Sequence, residues 1–329
     1  MKNFIVSLFV LLLLLLLFVG ESFAQPDLSR PLGPTIADTG SQFYRFEKFD
    51  LDSSDGERHY KITVGIPKTE TPENEYPVFY MLDGNAALAV LDDDLFSWLE
   101  SLPVIVAIGY NTELRFDVTS RAFDYTPALP DSSKPNDERG RKGGGSDIFA
   151  EFIETKIKPK VESFARIDRQ RQTVWGHSYG GLFVLNTLFK HPEMFQNYAA
   201  ADPSFWWQDG VILKIEKQFD EQIAKKGIEK NKLSLAVFVG RGAPQRNRNT
   251  EQRSRDAEQR NRERSTEPTD SSSDRSTNVR RSMPPNTAED FVKRFEPLLK
   301  TTEFRTFEGF GHGQMLPASL EPALRFCVR

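Results

Sequence analysis

Cysteine is nearly missing from this chain: Cys327 is the only one in 329 residues, and it is accompanied by only four histidines. A single thiol cannot close an intramolecular disulfide, and one Cys with four His cannot build the usual structural zinc clusters, so no metal is expected. An excess of charge of one sign is missing too. With 43 basic and 47 acidic residues the formal net charge is −4. That supplies no global field to recruit nucleic acid or anionic lipid, and nucleic acid is not expected as a partner. No internal repeat is apparent. What the chain does have is apolar bulk: 38% of residues are hydrophobic, including 26 Phe and 8 Tyr, enough for a sizeable core without disulfides.

The one long apolar run, Phe4 to Val19, follows Met1 and Lys2 and gives way to Ser22-Phe23-Ala24. Small residues three and one positions before Gln25 predict a secretory signal over residues 1–24. An uncleaved membrane anchor is the competing reading, and the small-residue exit argues against it. No Cys follows the cut, which argues against a lipid anchor. The mature chain, 25–329, is expected to be exported to a periplasm or the cell exterior, with no stable membrane anchor.

The rest patterns as one α/β domain with a doubly wound, mostly parallel sheet and helices on both faces. Phe43, Phe46 and Phe49 open a β-rich region, and His59 to Ile66 alternates as a strand near a sheet edge would. Tyr76 to Leu82 and Val104 to Ile108 are continuous apolar runs, as in strands buried on both faces. Helical spacing covers Ala86 to Trp98, Ser146 to Phe164, Tyr179 to Phe189, Ala288 to Leu299 and Pro317 to Phe326. Further strands are expected at Gln172 to Trp175, Tyr198 to Ala201, Leu233 to Val239 and Phe304 to Phe307. Asp117 to Gly145 is a long Pro-, Asp- and Gly-rich connection of the kind that covers active sites. Gln245 to Arg281 has ten Arg, seven acidic residues and no aromatic. It cannot bury a core, and a disordered insertion is expected there.

The strongest chemical signal is Gly176-His177-Ser178-Tyr179-Gly180-Gly181, set between an expected strand and an expected helix. A nucleophile elbow needs that context: a tight turn flanked by Gly leaves the Ser178 hydroxyl at a helix N-terminus, where the dipole favours developing negative charge. Serine is a weak nucleophile until a base takes its proton. His191 closes the helix after Ser178 and reads as a C-terminal cap, His177 reads as structural and His59 as irrelevant. His312, in the loop Phe310-Gly311-His312-Gly313 between the last strand and the last helix, is the better base. The oxyanion needs backbone N–H donors: Tyr179 is expected to supply one, and Asn85 in Leu82-Asp83-Gly84-Asn85 is the candidate for the second, where Gly84 would let the backbone turn inward. The alternative for Asp83-Gly84-Asn85 is a turn and helix cap.

Five separated motifs carry a resemblance. They are Tyr76-Pro77-Val78-Phe79-Tyr80-Met81-Leu82-Asp83-Gly84-Asn85, Arg121-Ala122-Phe123-Asp124-Tyr125-Thr126-Pro127, Gly176 to Phe183, Asp202-Pro203-Ser204-Phe205-Trp206-Trp207, and Gly311-His312. From about Tyr60 to Phe326 the chain resembles the α/β-hydrolase esterase family that contains the periplasmic and cytoplasmic siderophore esterases. The resemblance implies an α/β-hydrolase fold and serine-ester hydrolysis, with Ser178 and His312 as nucleophile and base, Asn85 and Tyr179 at the oxyanion, and no cofactor. It also implies that Arg121 faces an anionic part of a small-molecule ester substrate. A ferric complex would then be substrate, not a resident metal.

One departure leaves the orienting acid open. After Val237-Phe238-Val239-Gly240 the chain continues Arg241-Gly242-Ala243, where such enzymes often carry an acid. Asp202 ranks first, Glu251 and Asp256 are alternatives, and a Ser-His dyad is another. Trp206 reads as packing, while Trp207 is a candidate for an aromatic substrate wall. An acyltransferase using the same site, or a scaffold that binds without turnover, are the competing functions.

Overall fold

The computed structural model describes residues 30–69, 75–129, 140–242 and 283–329. The expected signal segment and the Arg-rich stretch 245–281, with Glu251 and Asp256, lie outside them. The described residues build an eight-stranded sheet in the order β1-β2-β4-β3-β5-β6-β7-β8. The strands are β1 (Tyr44–Asp52), β2 (His59–Pro67), β3 (Tyr76–Leu82), β4 (Val104–Tyr110), β5 (Ile167–His177), β6 (Asn197–Ala201), β7 (Ser234–Arg241) and β8 (Thr301–Glu308). β2 runs antiparallel to both β1 and β4, and every later pair is parallel. Strands alternate with helices packed on both faces. This is an α/β-hydrolase fold.

The continuous apolar runs are explained by two cores. In β3, Val78, Tyr80 and Leu82 face one layer with Val106, Phe183 and Val237, while Phe79 and Met81 face the other with Trp175, Phe238 and Leu320. All five of these β3 residues are fully buried, so none of the five tolerates an unpartnered polar group. Cys327 lies in the second layer, where desolvation pushes its thiol up to about 12. It is a packing residue, kept neutral and unreactive.

Several boundaries differ from expectation, each for a local reason. β2 lies near the sheet edge as expected, second from it, and β1 is the edge strand, with largely alternating exposure along its length. The helix expected over 86–98 is two, Gly84–Leu88 and Asp93–Ser97. Asp92 divides them by accepting the Leu95 N–H at 2.8 Å, a cap that starts a new helix. The long helix from Ser146 contains a π turn, Ile153–Ile157, just before Pro159. The wider turn accommodates a residue that lacks an N–H and crowds the carbonyl four positions earlier. Part of the expected covering loop is the helix Ser120–Tyr125, with Ala122 and Tyr125 fully buried; residues 130–139 lie outside the described set. Helices at Val211–Ile215 and Phe219–Lys226 were not anticipated, although Val211, Ile215, Phe219 and Ile223 repeat at helical spacing and are buried.

Candidate active site

Three strand ends converge at the carboxyl edge of the sheet, and each carries a residue in left-handed backbone: Asp83 after β3 (φ 51°), Ser178 after β5 (φ 61°) and Asp202 after β6 (φ 42°). For a non-glycine residue this conformation is costly, and it persists only where the surroundings over-determine it. At Ser178 the surroundings are backbone. Its N–H donates to the Ala201 carbonyl at 2.9 Å, and its own carbonyl accepts from Leu182 at 3.0 Å and Ser204 at 3.2 Å. The sharp turn into the helix Tyr179–Lys190 leaves the Ser178 side chain at that helix's N-terminal end.

The elbow glycines are not equivalent. A Cβ on Gly176 would sit 2.5 Å from the Gly180 carbonyl carbon and oxygen, and one on Gly181 would lie 3.0 Å from Pro203. At Gly180 the nearest atoms are those of Leu82 at 3.6 Å, an ordinary contact. The expectation that both glycines flanking the serine are sterically obligatory therefore holds for Gly176 and not for Gly180.

His312 begins a single 3-10 turn, His312–Gln314, after β8. Its Nε2 lies 3.0 Å from Ser178 Oγ, and its Nδ1 lies 2.5 Å from Asp202 Oδ2. Because a carboxylate only accepts, Nδ1 carries the proton, and Nε2 is left as acceptor for the serine hydroxyl. The carboxylate arrives from the end of β6. The end of β7 is occupied otherwise: Gly240 packs against the Phe310 carbonyl of the base loop, and Arg241 pairs with Glu289 at 3.6 Å.

His177, expected to be structural, has a defined task. Its Nε2–H donates to the His312 carbonyl at 2.8 Å, and the two rings lie 4.7 Å apart. His177, Asp202 and His312 bring ligand-type atoms within 4.8 Å of one another, but hydrogen bonds already engage His312 Nδ1 with Asp202 and His177 Nε2 with a carbonyl. Ser204, which the sequence did not single out, is fully buried, with its Oγ 3.4 Å from Ser178 Oγ. His191 ends the elbow helix as expected and lies 3.4 Å from Asp147. His59 pairs with Asp52 at an exposed hairpin, three strands along the sheet from β5, which leads into Ser178.

On the opposite side of Ser178, Tyr179 is the first residue of the helix, whose N-terminal N–H groups face the nucleophile end. Asn85 is held through its side chain. Its Oδ1 accepts the Tyr110 N–H at 2.9 Å, and its Nδ2 donates to the carbonyls of Tyr110 and Thr112, both at 3.0 Å. Gly84 serves close approach: a Cβ there would stand 2.6 Å from the Gly109 nitrogen of β4. The left-handed residue of this turn is Asp83, so Asp83, not Gly84, redirects the chain.

Arg121 and Trp207 are placed differently from expectation. The Arg121 guanidinium turns inward and forks onto Asp83, Nε to Oδ1 and Nη2 to Oδ2, both at 2.8 Å. Side-chain exposures are 11% for Arg121 and 1% for Asp83. Burial works against the charge, but Asp83 outweighs it and raises the Arg121 pKa. Trp207 is only 3% exposed and belongs to the core, whereas Trp206 is half-buried with its ring 6.2 Å from that of Tyr179. Trp206 packs against the core from its margin, as expected, and Trp207, a candidate for a substrate wall, lies inside it. Beneath Arg121, Asp124 pairs with Arg58 at 3.0 Å and accepts from the Tyr60 and Tyr110 hydroxyls at 2.9 and 3.0 Å. Desolvation pushes its carboxyl up to about 7 against the opposing pull of Arg58 and those hydroxyls.

Fold and site together define an α/β-hydrolase with a serine, a histidine and a carboxylate in line at the ends of its strands. Residues 53–297 match the family described as "Putative esterase", and the chain belongs to that esterase family. It is 50% identical over 243 residues, 72% of this chain and 73% of the relative, to the apo-salmochelin esterase of Escherichia coli O6:H1. It is 30% identical over 291 residues, 84% of this chain and 88% of the relative, to the ferri-bacillibactin esterase BesA of Bacillus subtilis. Among solved structures, enterobactin hydrolase IroE in complex with DFP matches at a TM-score of 0.62 and 35% identity, covering 89% of this chain and 99% of that one. The protein is a carboxylic-ester hydrolase closely related to siderophore esterases. Among the described residues no helix is long and apolar enough to cross a membrane.

Proposed function

We propose that this protein is an exported serine esterase that cleaves siderophore-type esters through an acyl-enzyme on Ser178. The observation that carries the reading is the unbroken line from Ser178 Oγ through the His312 ring to Asp202. His312 Nε2 accepts the Ser178 proton as Oγ attacks the ester carbonyl, and Asp202 holds the tautomer and stabilises the imidazolium. The backbone N–H groups of Tyr179 and Asn85 receive the oxyanion. Collapse of the tetrahedral intermediate expels the alcohol, which takes the proton from His312. Water then attacks the acyl-enzyme with His312 as base, releasing the acid and the serine. The substrate class is supported by the names of the relatives, which act on salmochelin, bacillibactin and enterobactin. Export is supported by the apolar leader and its small-residue exit, and residues 25–329 read as one hydrolase unit with an insertion at 245–281.

Fluorophosphonate labelling of the full chain tests the acyl-enzyme. Wild type is expected to take up one label and Ser178→Ala none, with ester turnover in the variant down by on the order of 10³-fold or more. An unlabelled wild type would instead favour a binding protein. Hydrolysis of aryl, short-acyl and trilactone esters compared side by side then identifies the substrate class, with the trilactone expected to give the highest kcat/KM.

A further inference from the structure

The Leu82-Asp83-Gly84-Asn85 turn is gripped from two sides. Below it, the three hydrogen bonds of the Asn85 side chain fasten it to the end of β4, and Gly84 lies so close to β4 that a Cβ would strike its backbone. Above it stands the helix Ser120–Tyr125. Arg121 takes both carboxylate oxygens of Asp83, and the Tyr125 hydroxyl accepts the Asp83 N–H at 3.0 Å. Side chain and backbone of the one left-handed residue in the turn are thus both engaged by the same helix. A fork-to-carboxylate pair fixes orientation as well as distance. A buried pair of this kind is weak evidence for stability but well suited to specifying a geometry.

Arg121 also reaches the other side of the site. Its guanidinium lies over the rings of Phe116, Tyr125 and Tyr179 at 5.4, 5.4 and 5.6 Å. It therefore touches both residues, Asp83 and Tyr179, that flank or carry the two N–H groups assigned to the oxyanion. With a carboxylate in front and three aromatic rings around it, this cation is committed to the protein.

We propose that Asp83 and Arg121 are positioning residues for ester hydrolysis: their ion pair, with Tyr125, locks the left-handed turn that aims the Asn85 N–H at the oxyanion, and Arg121 does not bind the substrate's anionic groups. The inference rests on the acyl-enzyme reading above. An oxyanion donor is worth on the order of 10²–10³ in kcat, and a displaced donor loses part of that.

The test uses Arg121→Gln and Arg121→Lys in the full chain, with two p-nitrophenyl esters, one with a neutral and one with an anionic acyl group. Arg121→Gln is expected to lower kcat on the order of 10- to 100-fold on both esters, with KM within about threefold. The inhibition constant of phenylboronic acid, which builds a tetrahedral adduct on the serine, rises by a matching factor. Arg121→Lys recovers part of each. Because Arg121→Gln strands a buried carboxylate, the double variant Asp83→Asn/Arg121→Gln is measured alongside it, and it is expected to restore the melting midpoint but not kcat. A rise in KM confined to the anionic ester would overturn the proposal in favour of substrate binding. A lower melting midpoint with kcat and boronate affinity unchanged would reduce the pair to a structural role and overturn it as well. Fluorophosphonate labelling separates the two possible failures: an unlabelled wild type removes the acyl-enzyme reading and this proposal with it, whereas a labelled wild type with unchanged variants removes the brace alone.

Discussion

The nucleophile and the base reach the same 3.0 Å contact from regions built in opposite ways. On the nucleophile side, Val174 and Trp175 are fully buried, and the helix beyond Ser178 is buried from Tyr179 to Phe189. Ser178 itself is fixed by main-chain hydrogen bonds to two neighbouring segments. On the base side, Gly309 and Phe310 are exposed, and His312 is half-buried on a single turn. That turn has main-chain bonds of its own, Gln314 N–H to the Gly311 carbonyl at 2.9 Å and Gly309 N–H to the Arg241 carbonyl at 2.8 Å, and three side chains add to them: Gln314 Oε1 accepts the Gly311 N–H at 2.8 Å, His177 donates to the His312 carbonyl and Asp202 holds the imidazole. Backbone bonding and packing make the elbow part of the fold, so damage there falls on stability and rate together. The base loop is more exposed and leans more on side-chain bonds, so damage to those bonds is expected to fall mainly on rate.

Gly176→Ala breaks the comparison hardest. Its Cβ would lie 2.5 Å from backbone that cannot swing aside, and the cost is expected at the upper end of overpacking, roughly 3 kcal/mol, with turnover abolished in whatever fraction folds. Urea unfolding and turnover should fall together. Gly180→Ala, in the same motif, is its control. The new methyl meets Leu82 at 3.6 Å and gains helix propensity of about 1 kcal/mol, so its denaturation midpoint should equal or exceed that of wild type. Equal damage from both variants would mean that the motif, not the local contact, sets the requirement.

Asp202→Asn comes next, and its effect should be confined to rate. The variant keeps the side-chain volume and the turn but removes the charge that selects the His312 tautomer, for an expected fall in kcat on the order of 10²–10⁴ with little change in melting midpoint. The left-handed backbone at Asp202 suits Asn equally well. An unchanged kcat would leave a Ser178-His312 dyad as the working pair.

The elbow and Asp202 also mark where the sequence was legible. The elbow could be read because its requirements lie within Gly176 to Gly181 and the strand and helix patterns that directly flank them, which is local chemistry. Asp202 could only be ranked, since its partner is 110 positions away, and the usual place after β7 holds Arg241. The Asp83 partner of Arg121 was out of reach for the same reason. As a cation in a motif it suggested an anionic ligand; the structure pairs it with Asp83 on another strand end, and no local pattern records that pairing. Trp206 and Trp207 are adjacent and chemically alike, so only the path of the chain after Pro203 decides which enters the core. The helices at 211–226 are a different case. Their apolar spacing was present in the sequence, and it lies beside the more conspicuous Arg-rich stretch.

Gly313→Ala should have the smallest effect and sharpens the comparison most. No atom lies within 4 Å of where its Cβ would sit, and its φ is outside the left-handed region, so alanine fits without strain. By reducing the freedom of the unfolded chain the substitution is expected to leave stability unchanged or raise it by about 0.4–1 kcal/mol. If the base loop needs only the three side-chain ties to hold His312 in place, kcat should stay within about twofold of wild type, because none of those ties involves residue 313. A tenfold loss of kcat at an unchanged melting midpoint would give the glycine a different meaning. The loop would then require backbone freedom during turnover, as the imidazole passes from accepting the serine proton to delivering it to the leaving alcohol, and the openness of the base side would be part of the mechanism.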